Sequence, residues 1–168
     1  KDLEKAADLL GKSHILYSKL QARRLFLKAQ MLDTGNENDI NAAIDYLEQS
    51  IRLEPSAPYS YFTLARRYHK KNELEKARSN FDIYVNLIPH SAWAYNNRGW
   101  VYYDLKDYEP AISDFNKAIE LKPEYDVAYN NAGNAYSLLG KYEDAIRNYK
   151  KSIELSPENP ITYNNLGN

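Results

Sequence analysis

Along this chain the apolar residues recur at helical spacing. Tyr95, Gly99 and Tyr102 stand at i, i+4 and i+7, and Ala111, Phe115, Ala118 and Ile119 make a second stripe of the same kind. The small residues Gly99 and Ala111 let two helix axes come close. The stretches "LKDYEP" and "LGKYED" read as turns between such stripes. Pro110 falls in the first turn of its helix, where a missing N–H costs little, and Pro58 and Pro160 open helices in the same way. Pro123 and Pro157 close units, because the residue before proline avoids helical backbone.

The pattern returns every 34 residues: "YNN" begins at Tyr95, Tyr129 and Tyr163, and Ala77, Ala111 and Ala145 keep the same interval. So do Phe81, Phe115 and Tyr149, and Pro55, Pro89, Pro123 and Pro157. Each unit is predicted to be a helix–turn–helix whose apolar face is buried only by its neighbours. Residues 58–91, 92–125 and 126–159 form whole units. Residues 19–57 form an earlier one, with "LQARRLFLKAQML" as first helix, "AAIDYLEQSIRLEP" as second and a longer connecting loop, "DTGNENDIN". "DLEKAADLL" aligns with "ELEKARSNF", so residues 1–18 are expected to be the second helix of a partial repeat or an N-terminal helix. Residues 160–168 begin a first helix and stop. Both ends read as cut inside a repeat, which suggests a piece of a longer array.

These landmarks resemble the tetratricopeptide repeat family. The departures are Tyr at the first Trp position, Ala65 in place of one Gly, and Arg98 where Leu is usual. The resemblance implies an all-α, right-handed superhelical solenoid of antiparallel helix–turn–helix repeats, with first helices lining its concave side.

With Tyr95 taken as the origin of a helical wheel, Trp93, Asn96, Asn97, Trp100, Tyr103 and Asp104 share the stripe away from the partner helix. The matching stripes hold Phe62, Thr63, Arg66, His69 and Lys70 before it, Asn130, Asn131 and Asn134 after it, and Asn164, Asn165 and Asn168 in the last helix. A merely solvated face would favour Lys, Glu, Gln and Ala. Asparagine offers an acceptor and a donor together, a match for the N–H and C=O of a peptide unit. Asn97, Asn131 and Asn165 are therefore expected to form a ladder along an extended peptide, with Asn96, Asn130 and Asn134 beside it. Trp93, Trp100, Tyr103 and Phe62 would add flat apolar contact. The arrangement is similar to the tetratricopeptide domains of the O-GlcNAc transferase and of the peroxisomal targeting-signal receptor, which bind extended peptides. Two other readings stay open: the asparagines hydrogen-bond across repeats, or they mark recent duplication.

Arg66, His69 and Lys70 suggest a site for acidic side chains or a terminal carboxylate, against the alternative of a solvated basic helix end. The carboxylate clamp of chaperone-binding family members is not matched, since the slots for its cations hold Asn96, Val127, Asn131 and Ile161. Only its Asn components, Asn97 and Asn134, are present.

Composition narrows the rest. Lys+Arg 22 against Asp+Glu 23 gives a net charge of −1, which argues against a nucleic-acid partner held by bulk charge. There is no cysteine, which excludes thiolate metal sites and thiol catalysis. His14, His69 and His90 are scattered, with no i, i+4 pair for a metal. No catalytic residue, metal site or cofactor is predicted, and no apolar run is long enough for membrane insertion. The expected partner is another protein or a peptide. The competing expectations are a scaffold that self-associates through its convex face and open C-terminal half repeat, and a substrate-recruiting arm of a larger enzyme. The compartment is not legible.

Overall fold

The same turn joins the two helices inside three successive units. Asn72, Lys106 and Gly140, at the 34-residue interval, adopt left-handed φ values of 59°, 66° and 71°. The following N–H then reaches back to close the helix: Glu73 to the Tyr68 carbonyl, Asp107 to Tyr102, and Lys141 to Tyr136. This satisfies carbonyls that a helix end leaves open and reverses the chain in a few residues. Helix starts vary more. Ser91 caps its helix by accepting from the Ala94 N–H, and Asn36 accepts from the Asp39 N–H.

The computed structural model describes residues 2–32 and 36–167, with side chains described at residue 5 and from residue 9 onward within those ranges. Its helices are α1 Asp2–Met31, α2 Glu37–Leu53, α3 Pro58–Lys70, α4 Leu74–Leu87, α5 Ala92–Asp104, α6 Tyr108–Leu121, α7 Asp126–Leu138, α8 Tyr142–Leu155 and α9 Pro160–Gly167. Each packs chiefly on its neighbours in the chain, as a solenoid requires.

Within a unit the first helix meets the second through small residues. A Cβ on Gly99 would lie 2.8 Å from the Phe115 ring, and one on Gly133 2.5 Å from the Tyr149 ring. Fully buried Phe81 and Phe115 anchor successive units. Tyr68 and Tyr149 are buried, but Tyr163 is 49% exposed, because no described helix follows α9 to cover it.

Arg98 is the polar exception in this core. Its guanidinium donates to both Asp114 carboxylate oxygens at 2.7 and 2.8 Å and to Asp82 at 2.9 Å. One side chain on α5 thus ties α6 of its own unit to α4 of the unit before. Tyr95 and Tyr102 lie against the guanidinium.

Two expectations about the start of the chain need correction. The stretches before and after residue 18 are one uninterrupted helix, α1, rather than two. No proline lies within α1, and its one glycine, Gly11, faces open space and forces no turn. The helix α2 begins at Glu37, ahead of the expected "AAIDYL" start, because the Asn36 amide both caps the Asp39 N–H at 2.8 Å and donates to the Asp39 carboxylate at 2.7 Å. The remainder of the expected loop, residues 33–35, lies outside the described residues.

Candidate functional site

Successive first helices touch one another along the stripe that carries the asparagines. Asn131 Nδ2 donates to Asn96 Oδ1 at 3.0 Å, joining α7 to α5. Asn165 Nδ2 donates to Asn130 Oδ1 at 3.0 Å, joining α9 to α7. Both bonds span 35 residues, one repeat plus one position, so the first asparagine of one triplet pairs with the second of the next. Asn96 and Asn131 are buried by this contact, at 7% and 8% exposure.

Asn97 differs. The position that would hold its amide partner one repeat earlier is Phe62, and Asn97 Nδ2 donates instead to the Trp93 carbonyl of its own helix at 2.7 Å. The three asparagines expected to form a ladder are therefore not equivalent. Asn97 sits half-buried on the open stripe, whereas Asn131 and Asn165 are engaged with the neighbouring helix. The buried side-chain polar atoms among the described residues all have partners. Asn131 Oδ1 and Asn96 Nδ2, which the amide pair does not use, accordingly reach solvent. Asn134 accepts from the Tyr149 hydroxyl at 2.8 Å, a contact inside its own unit. Burial pushes the Tyr149 hydroxyl up to about 12. Asn168 lies outside the described residues.

The aromatic members form two shelves. Phe62 stacks on Trp93 with centroids 6.1 Å apart and planes at 22°, bridging α3 and α5, while its other edges meet Phe81 and Tyr84. Trp100 stacks on Tyr103 at 5.0 Å and 9°, and Tyr103 meets Tyr108 edge-on. Trp93 is 57% exposed. Trp93, Asn97 and Trp100 follow at i, i+4 and i+7, a single line down α5.

Beside this line a recess of about 470 Å³ opens between α3 and α5. Arg66, Arg67, His69 and Lys70 line it from α3, and Asn97 and Asp104 from α5. His69 Nε2 and Asp104 Oδ2 are 2.6 Å apart and close one side. Sequence reasoning placed Arg66, His69 and Lys70 on one stripe but missed Arg67, whose position on the helical wheel points it inward, where it is buried. It also missed the Arg98–Asp82–Asp114 cluster. The available signal was an arginine in an apolar slot with an aspartate sixteen residues to either side. Among the described residues, no group of three or more His, Cys, Asp or Glu is placed to hold a metal, and no helix is long and apolar enough to cross a membrane.

Models of the tetratricopeptide repeat match residues 22–56, 92–125 and 115–147, and a TPR repeat model matches residues 133–168. The chain belongs to the tetratricopeptide repeat family. The stack of helix pairs is the right-handed superhelical solenoid of that family, and α3, α5, α7 and α9 are first helices of its successive units. Among solved structures, this repeat array is similar to a crystal structure of MamA, with 25% identity and a TM-score of 0.75 over 80% of this chain and 81% of that one. It is also similar to MamA 41-end from Desulfovibrio magneticus RS-1, with 22% identity and a TM-score of 0.81 over 88% and 82%. The first TPR of Spaghetti (RPAP3), solved bound to the HSP90 peptide SRMEEVD, shares 28% identity and a TM-score of 0.64 over 66% of this chain and 87% of that one. No curated protein sequence matches.

Proposed function

The repeat array is a protein-interaction module, and we propose that its concave face binds an extended segment of another protein. The observation that carries this reading is the open line Trp93, Asn97, Trp100 on α5, flanked by the two aromatic shelves and the basic recess. Stacked, partly exposed rings give flat apolar contact at little conformational cost. Asn97 Oδ1, together with the outward atoms of Asn131 and Asn96, would hydrogen-bond the peptide backbone. Phe62 and Tyr103 hold the shelves, Arg66 and Lys70 face the recess, and Asn130, Asn134 and Asn165 extend the polar floor toward α9. The peptide-bound state of the Spaghetti (RPAP3) repeat supports a peptide as ligand. The missing clamp cations at Asn96, Val127, Asn131 and Ile161 separate this groove from a chaperone-tail receptor. The test is capture on a peptide array by the wild-type chain and by Trp100→Ala, with circular dichroism as the control for folding. Captured peptides should weaken at least about tenfold with Trp100→Ala, as expected for an aromatic anchor. Capture that is insensitive to Trp100 would remove the groove reading.

A second reading is favoured by a separate observation. Leu9, Leu16 and Leu20 on α1, and Ile161 on α9, are 61–68% exposed. A scaffold that self-associates through these surfaces would sediment as larger species with rising concentration, and Trp100→Ala would leave that behaviour unchanged.

A further inference from the structure

Arg66 and Lys70 are i, i+4 neighbours of like charge, both exposed at the mouth of the recess between α3 and α5. Such a pair on its own disfavours the helix slightly. Among the described residues neither makes an ion pair or a side-chain hydrogen bond. Neighbouring cations are matched: Lys71 and Lys76 meet Glu73, and Arg78 meets Glu75 and Asp82. The helix dipole accounts for basic residues in the last turn of α3. It does not account for their lining one cavity with Thr63, a turn earlier on the same stripe.

We propose that this recess takes a phosphorylated side chain of the segment bound in the groove. The inference rests on the groove reading above and names the chemistry of its ligand. Arg66 and Lys70, the two exposed cations at the mouth, stand one helical turn apart and call for a group carrying about two negative charges on one centre, while Arg67 is buried in the wall and engaged there. A phosphomonoester carries about −1.5 to −2 at pH 7, with three acceptor oxygens. A single carboxylate would leave one cation unmatched. Two adjacent acidic residues would not replace it, because successive side chains of an extended peptide point to opposite faces and only one can enter. Arginine receives phosphate oxygens in pairs and lysine meets them as a point charge. The Thr63 hydroxyl can donate to the third oxygen. Asp104, the one carboxylate lining the recess, is held by His69 at 2.6 Å.

The experiment is an amide NMR titration of the whole chain at fixed ionic strength. The probes are a blocked alanine-rich peptide with one central phosphoserine, its serine and glutamate counterparts, and inorganic phosphate. The phosphopeptide should move the Thr63, Lys70 and Asn97 resonances and bind at least about tenfold tighter than either counterpart. Arg66→Gln and Lys70→Gln, both at exposed positions, should each cost about tenfold and leave the remaining spectrum in place. A glutamate peptide that binds equally well would overturn the phosphate assignment, and so would phosphopeptide binding indifferent to both variants. If the serine peptide moves Trp93 and Trp100 as strongly as the phosphopeptide, the groove reading survives and this proposal falls. If inorganic phosphate moves the recess while no peptide does, the recess takes free phosphate and the peptide-borne ligand fails, while the groove reading is decided by the Trp100 dependence of array capture.

Discussion

Arg98 stands where the repeat calls for an apolar side chain, and it is tolerated because two aspartates meet it. Burial raises the cost of both charges, and removing either partner leaves the other charge buried without its bidentate mate. Asp114→Ala should therefore lower stability in urea by about 2–3 kcal/mol, although Arg98 keeps Asp82. The amide pair Asn96–Asn131 is neutral and smaller in effect. Asn131→Ala should cost about 1–2 kcal/mol, and a double-mutant cycle with Asn96→Ala should return a coupling of about 1 kcal/mol. Tyr149 adds a pH dependence. Its folded value of about 12 lies above the ordinary 10, so the unfolded chain loses its proton first. Stability should then fall as pH rises from about 10 to 12, by up to about 1 kcal/mol per unit. Tyr149→Phe should flatten that decline and also lose the hydrogen bond to Asn134. The identical "YNN" triplets could not reveal the pairing of Asn96 with Asn131. The offset of one position beyond the repeat comes from the angle between neighbouring first helices, which repeat spacing does not contain.

At the scale of the element, the turns show what local sequence determines. A left-handed residue is needed at positions 72, 106 and 140, and the chain supplies Asn, Lys and Gly. Only Gly140 is free of strain there, and Gly140→Ala should destabilise by about 1 kcal/mol by thermal or urea unfolding. The close approach of the two helices in a unit was legible from Gly99 and Ala111, and the contact of Gly99 with the Phe115 ring bears it out. The continuity of α1 was not legible. Alignment with a second helix suggested an end near residue 18, but without a breaker the helix simply propagates. Its early part has few neighbours: Leu9, Leu10, Ile15 and Leu16 are all exposed. Backbone amides of residues 9–17 should exchange with solvent faster than those of α5 and α6, measurable by hydrogen–deuterium exchange.

At the scale of the molecule, nearest-neighbour packing produces a row of first helices held in register by cross-repeat bonds. His69–Asp104, Asn96–Asn131 and Asn130–Asn165 each join one first helix to the next. The array and the stripe were legible because both follow from a 34-residue period and a helical wheel. Which stripe residues stay open and which face a neighbouring helix depends on interhelical geometry. Asn97 is left open because Phe62, rather than another asparagine, precedes it by one repeat plus one position. The two tryptophans of the chain, Trp93 and Trp100, both lie on this stripe and serve as reporters. The most direct measurement is their fluorescence during titration with a peptide selected on the array, in wild-type and Asn97→Ala chains. A groove-bound peptide should shift the emission saturably, with affinity reduced about five- to tenfold by Asn97→Ala, the scale of one hydrogen bond. Tight binding with no change in tryptophan emission would place the peptide elsewhere and contradict the concave-groove account.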